Sequence, residues 1–174
     1  MGWHGWKPFT SSSEKSSFQW EDKTIAPRTA VLRQKLVEIE SRPVNTVDDY
    51  VSNTLETQPI VDEAKNLMQR QTAMIARFRQ AYPDNTGDGR MADYVLRLTE
   101  KDEQLMQLLT DEIGCANAMK GLPAPNRLAY YDANVPPIKE KEAQVVKDWV
   151  AITNEAKANG IPLPPNLSQS TSNH

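Results

Sequence analysis

The chain has 174 residues, of which 39% are hydrophobic and 25% are charged, with a formal net charge of −3. This is the composition of an ordinary globular chain of about one domain, without the basic excess that nucleic-acid binding needs. Its single cysteine, Cys115, excludes an internal disulfide and a four-thiolate metal site, and its two histidines, His4 and His174, lie at opposite ends. We therefore expect no catalytic residue, no cofactor, no metal ion and no enzymatic activity.

Residues 1–25 form a Ser-rich segment without helical or strand periodicity, which predicts an extended arm. Aromatic side chains are concentrated there, although disordered tails are usually poor in them, so we expect the arm to bind something. Two alternatives carry equal weight: the arm covers its own bundle, or it docks into grooves on a partner subunit. A membrane-proximal stub is a third. The aromatic residues concerned are Trp3, Trp6, Phe9, Phe18 and Trp20.

Start and stop signals divide residues 26–160 into helices. Pro27 suits the first turn of a helix that ends before Pro43, and Thr46 with Asp49 forms a capping-box pattern at the start of a short helix. No segment alternates convincingly as a strand does, so we predict an all-α antiparallel bundle of three to four main helices plus the short one. The predicted helices span about residues 27–42, 47–56, 59–82, 89–120 and 137–159.

The later helices are bounded by breakers. Gly121 and Gly160, each followed by proline within two residues, predict Schellman-type helix ends. Tyr130 and Tyr131 fall in a predicted loop before the last helix, where they either cap the bundle end or bind a partner. The turn over 84–89 resembles a calcium loop, but it lacks the closing carboxylate and is interpreted as a plain connection.

The two longest helices can be aligned with each other. If the segment between them is a tight hairpin, apolar residues face apolar residues at nearly every level. The exception pairs Gln71 with Asp102, and we predict that the amide donates a hydrogen bond to the carboxylate. Such a polar layer most often fixes register or reaches solvent, and a ligand site is the alternative.

Other chemistry-bearing residues have simpler interpretations. Cys115 has no basic neighbour and is interpreted as a small buried side chain rather than a reactive thiol. The acidic pair Asp111 and Glu112 is assigned to a solvated helix face. Residues 161–174 form a Pro-rich polar tail that suggests no active site.

These patterns predict a non-catalytic interaction or assembly protein that docks to protein partners through its arm and bundle surface; a homo-oligomer is one such assembly. The alternative is a ligand-binding or sensory bundle of an exported or membrane-anchored protein. No run of apolar residues is long enough for a spanning helix or a secretory signal. We therefore expect a cytosol-like compartment, or an exported protein whose targeting segment is absent and whose native start is not Met1.

The arm gives a direct test of the assembly function. Mass measurement under native conditions should show a partner or a second copy bound to the full-length chain and lost when residues 1–25 are removed, because arm aromatics would carry the contact. An unchanged monomer that loses no partner in pull-down would count heavily against docking through the arm.

Overall fold

The computed structural model describes the backbone of residues 12–81, 87–161 and 163, and side chains from residue 23 onward except near the gaps. This described part consists of helices and connections, with no strand, and it confirms the predicted all-α bundle of four main helices and one short helix. The helices are α1 (Ser12–Glu40), α2 (Val47–Glu56), α3 (Gln58–Ala81), α4 (Gly87–Lys120) and α5 (Ala124–Ala158).

Two of the predicted helix-end signals form as expected. At the start of α2 the Thr46 hydroxyl accepts from the Asp49 backbone N–H, and the Asp49 carboxylate accepts from the Thr46 backbone N–H, both at 3.1 Å. At the end of α5, Gly160 has φ +68°, and the N–H of Ile161 donates to the carbonyl of Ala156 at 2.9 Å. That 6→1 bond, with the bond from Gly160 to Lys157, is a Schellman motif.

The end of α4 differs from the prediction in its geometry. The helix stops at Lys120 as expected, but Gly121 is not in the left-handed region, since Gly160 is the one glycine with positive φ in the described residues. The N–H of Gly121 donates to Ala118 and that of Leu122 to Met119, so a tightened last turn replaces the Schellman motif.

Helix α1 corrects the expectation of an extended arm over residues 1–25. It begins at Ser12, so only residues 1–11 of that segment lie outside the described residues, and Pro27 stands inside the helix rather than in its first turn. Ile25 and Ala26 explain the difference, because they are 1% and 4% exposed in the core. Their burial outweighs the backbone hydrogen bond that Pro27 removes.

Helix α5 likewise begins earlier than predicted, at Ala124 instead of residue 137. The predicted loop is helical and Pro136 and Pro137 lie inside the helix. Val135, directly before them, is fully buried against α2 and α4, and that packing holds the helix together where the prolines remove two backbone donors.

Helix α4 is the centre of the bundle, because it contributes side chains to all three core clusters. The first cluster joins it to α3 and α5, the second to α1 and α3, and the third to α2 and α5. By contrast, α1 packs mainly on α3 and more weakly on α2, but not on α5. A gap therefore remains between α1 and α5, over the middle of α4.

The predicted register of α3 against α4 agrees with the packing. Near the hairpin, Arg79 pairs with Asp93 at 2.9 Å, and further along Lys65 contacts Gln107 at 3.4 Å. Together the two contacts show that the helices run antiparallel. The predicted apolar partners nearest the hairpin share the first cluster, and they are Ile75, Phe78, Val95 and Leu98. Tyr82, the outermost predicted partner of Met91, lies outside the described residues.

Two glycines of opposite backbone geometry give a matched stability test. Gly160→Ala should lower the free energy of unfolding by about 1 kcal/mol, because its positive φ disfavours any side chain. Gly114→Ala should raise it by about 0.5–1 kcal/mol, since the residue lies inside α4 and an added Cβ meets nothing within 4 Å. Urea unfolding measures both. If both substitutions changed the free energy of unfolding in the same direction, the backbone geometry assigned to the two glycines would be wrong.

Candidate functional site: a groove between α1 and α5

The gap between α1 and α5 is a groove with a volume of about 360 Å³. Helix α4 forms its floor, and α1 and α5 form its walls. Most of its surface is aliphatic, and two wall residues, Val37 at 49% and Val146 at 37%, are among the most exposed large hydrophobic side chains described. We refer to it as the α1–α5 groove. Its apolar lining residues are Leu36, Val37, Leu105, Met106, Leu109, Ala143, Val145, Val146, Trp149 and Val150.

Asp102 lies on the floor of this groove and is only 2% exposed. Its Oδ1 atom has no hydrogen-bond partner, so the predicted bond from Gln71 does not form, although Gln71 is itself buried at 5% exposure. Burial raises the pKa of Asp102 to about 7, with Arg33 opposing the shift and Glu103 reinforcing it. The carboxyl group is thus partly protonated near neutral pH.

Trp149 lies beside Asp102 on the facing helix. Antiparallel contacts of Lys101 with Asp148 at 3.4 Å and of Arg97 with Glu155 at 2.9 Å set the register of α4 and α5, which places Trp149 and Asp102 at the same level. The indole is 6% exposed and its Nε1–H has no acceptor. Buried indole N–H groups normally have a partner, so two buried polar groups at one level of α4 and α5, this N–H and the Asp102 carboxyl, are without one.

A network of polar side chains lies at the end of the groove away from Asp102 and Trp149. The Tyr50 hydroxyl donates to Glu112 Oε1 at 2.6 Å, and the Lys139 ammonium lies 3.0 Å from the same oxygen. Lys139 also reaches Glu142 at 3.9 Å. Three helices, α2, α4 and α5, are joined by these contacts.

The pKa values of the two glutamates in this network move in opposite directions. Burial and a hydrogen bond to Glu112 raise the pKa of Glu142, while bonds from Glu142, Tyr50 and Lys139 lower the pKa of Glu112 against the effect of its own burial. Glu142 is therefore a neutral acid bonded to the Glu112 carboxylate. Its Oε1 atom has no partner and belongs to a residue that lines the groove.

The charges around the groove differ in how they are paired. Lys101 and Lys139 have the carboxylate partners described above, whereas Arg33 makes no hydrogen bond or ion pair with any described side chain and is half-buried in the α1 wall. Glu40, also on α1, has a pKa raised by burial and partly restored by Lys139. Among the described side chains, Arg33 is thus the cation of the groove that has no carboxylate partner.

The structure brings together only part of the predicted site. Trp3, Trp6 and Phe9 lie outside the described residues, and Phe18 and Trp20 fall in the first turns of α1, where side chains are not described. The predictions made for these five aromatics therefore remain predictions.

Tyr130 and Tyr131 are half-buried against the third cluster, and Tyr131 meets Tyr50 edge-on with ring centroids 4.9 Å apart. This intramolecular packing favours the capping alternative over partner binding. Burial raises the pKa of the Cys115 thiol against a hydrogen bond from Tyr130, in keeping with an unreactive cysteine.

Glu112 is a correction to the sequence analysis, because it is 3% exposed instead of lying on a solvated face. The signal that could have found it is its spacing: Leu105, Leu109, Glu112 and Ala116 follow one another in steps of four, three and four, on the apolar stripe of α4. For Trp149, nothing in the sequence marks its N–H as unpaired.

Metal and membrane chemistry receive no support from the described residues. Among them no group of three or more His, Cys, Asp or Glu side chains is arranged to hold a metal ion, and none of their helices is long and apolar enough to cross a membrane.

No family model matches the sequence, and the searches of curated proteins and of solved structures found no similar protein. Function is therefore inferred from the groove.

Asp102 predicts an unusual dependence of stability on pH. Its pKa is higher in the folded state than the usual 3.8, so the folded chain holds a proton that the unfolded chain releases, and stability falls as the pH rises from about 4 to about 7. Asp102→Asn removes this loss. The variant should match the wild type near pH 4 and exceed it by about 2–4 kcal/mol near pH 8 in urea unfolding.

The control is Asp132→Asn, which changes an exposed aspartate of α5. Because the side chain is exposed, the substitution should leave stability nearly unchanged. Parallel pH profiles for Asp102→Asn and the wild type would show that Asp102 is not a buried, partly protonated acid.

Proposed function

We propose that this chain is a non-catalytic binding protein that takes a small amphipathic ligand in the α1–α5 groove. The observation that carries the proposal is the pair of unpartnered polar atoms, Asp102 Oδ1 and Trp149 Nε1, on the floor of an apolar groove. Of the two functions that the sequence predicts, this corresponds to the ligand-binding bundle.

The energetic cost of this floor supports the proposal. Leaving one buried donor or acceptor unpaired costs about 1–3 kcal/mol, and here two such groups lie at one level of the α4–α5 pair. A polar group of a ligand can recover part of that cost once the rim side chains let it reach the floor. The aliphatic walls meanwhile gain about 25 cal/mol for each Å² of apolar surface that a ligand covers.

The shape of the groove also suits a small ligand. Small-molecule sites are typically concave, about 300–1,000 Å³ in volume, mostly apolar, and equipped with a few polar groups. The α1–α5 groove, at about 360 Å³, lies at the lower end of that range. Val37 and Val146 remain exposed on its walls, which indicates a surface that is covered when the site is occupied.

The polar network at the end of the groove supports binding rather than catalysis. An acid or base acts best when its pKa lies near the working pH. Burial and the bond to Glu112 raise the pKa of Tyr50, and the contacts of Lys139 with Glu112 raise the pKa of that ammonium despite its burial. Both donors are committed to one carboxylate, which stabilises the packing of α2, α4 and α5.

Docking to a protein through the aromatic arm remains a separate prediction. The structure sharpens its test, because Ile25 belongs to the core and α1 begins at Ser12. Removing residues 1–25 would damage the bundle itself. Replacing Trp3, Trp6 and Phe9 by alanine in the full chain is therefore the better variant.

A substitution that fills the groove tests the proposed function. Val37→Phe should weaken binding of octanol, an uncharged amphiphile, by about tenfold or more in isothermal titration calorimetry, because the ring occupies the space of the aliphatic chain. Val37 is half-exposed, so the larger side chain should leave the free energy of unfolding nearly unchanged.

Val31→Phe is the matched control, since Val31 lies on the same helix with a similar exposure of 44% but does not line the groove. Its octanol affinity should equal that of the wild type. Failure of the wild type to bind octanol, or equal weakening by both substitutions, would refute binding in the groove.

A further inference from the structure

We propose that the ligand of the α1–α5 groove is an aliphatic carboxylate, whose head group is held by Trp149, Asp102 and Arg33 and whose chain lies along the valine-rich walls. This inference rests on the proposed binding function and adds to it the chemical class of the ligand. It is carried by the kind of polar groups left unpaired in the groove.

The first argument is the donor character of the floor. An indole N–H can only donate, so the free Nε1–H of Trp149 calls for an acceptor in the ligand. Asp102 lies at the same level and, with a pKa of about 7, carries a proton for much of the time near neutral pH. In that form it also donates. A carboxylate offers the two acceptor oxygens that such a pair of donors requires.

The second argument is the charge of the α1 wall. Arg33 lines the groove without a carboxylate partner among the described side chains, and it is close enough to Asp102 to lower the pKa of that acid. A guanidinium binds carboxylates with a two-pronged geometry that few other groups match. An organic cation would instead face Arg33 and the neutral form of Glu142, and it would leave the Trp149 N–H unpaired.

The third argument is the nature of the walls. Val37, Val146 and Val150 line the groove on both sides, and apolar side chains make up most of its lining. Each methylene group that is buried there contributes about 0.8 kcal/mol. The groove therefore fits an unbranched aliphatic chain with one polar end better than a sugar or a nucleotide, most of whose hydroxyl groups would lie against these apolar side chains.

The experiment compares three probes that share one chain and differ in the head group: octanoate, octanol and octylammonium. Isothermal titration calorimetry on the full-length chain near pH 6.5 should show octanoate binding about tenfold more tightly than octanol, and octylammonium binding more weakly than both. A tenfold ratio corresponds to about 1.4 kcal/mol, within the range expected of a charge-assisted hydrogen bond.

Three variants separate the contributions. Arg33→Gln should bring octanoate down to the affinity of octanol while leaving octanol itself unchanged, and Lys35→Gln, an exposed cation of α1 that does not line the groove, should change neither. Asp102→Asn keeps a donor on the floor without a charge, so it should bind octanoate at least as tightly as the wild type. All three leave the apolar core intact, and urea unfolding confirms that each variant is folded.

The outcomes distinguish the two proposals. Equal affinities for the three probes, or a preference for octylammonium, would overturn the carboxylate inference and leave binding in the groove standing. An octanoate preference that survives in Arg33→Gln would also overturn it, because the guanidinium would then not hold the head group. So would a preference that falls equally in Arg33→Gln and Lys35→Gln, because the charge of the whole surface would then be responsible. No binding of any probe would refute the binding function and the inference together.

Discussion

Helix α4 must bury one continuous stripe of side chains against neighbours on several sides, and the rest of the bundle is arranged around that requirement. The stripe includes Val95 and Leu98 near the hairpin and Ala116 and Met119 at the other end, all essentially without exposure. Helices α3 and α5 cover most of it, and α2 covers its last turns. Because α1 packs on α3 and α2, a groove remains between α1 and α5 over the middle of the stripe.

Two acids stand on this stripe, and their surroundings differ. Glu112 accepts a hydrogen bond from Tyr50 and pairs with Lys139, so its burial joins three helices. Asp102 has no such partners, and its Oδ1 is unpaired. A buried carboxylate with partners can serve the packing, whereas one without partners raises its pKa and weakens the fold at neutral pH. This difference makes Asp102 the better candidate for a binding role.

The sequence predicted what depends on local chemistry and missed what depends on packing. Thr46 with Asp49 and the glycine at Gly160 form bonds with residues close in the chain, so their patterns could be recognised. Pro27 was interpreted as lying in the first turn of a helix, and the residues before 137 as a loop, for equally local reasons. Ile25 and Val135 are nevertheless buried beside Pro27 and Pro136, and that burial outweighs the lost backbone bonds.

The candidate site shows the same division. The spacing of α4 placed Asp102 inside the bundle, because a stripe that repeats in steps of three and four identifies which face is buried. The partner it predicted, Gln71, was wrong, since hydrogen bonding depends on side-chain positions that register alone does not determine. Glu112 lay on the same stripe and was assigned to solvent, because its acidic type was given more weight than its position.

The persistence of unpaired polar groups at Asp102 and Trp149 argues against a purely structural groove. Replacing buried charged or polar side chains by apolar ones of similar volume is often neutral or stabilising, so a leucine and a phenylalanine at these positions would serve packing better. A whole domain of this kind is stable by only about 5–15 kcal/mol, and two unpaired groups at about 1–3 kcal/mol each take a sizeable part of that margin. Trp149 and Asp102 lie at one level of α4 and α5, and Arg33, which has no partner among the described side chains, lines the same groove. Under the proposed binding function, one acceptor group of the ligand would partner the indole N–H, the protonated form of Asp102 and the guanidinium, and the cost of leaving them unpaired would add to the affinity.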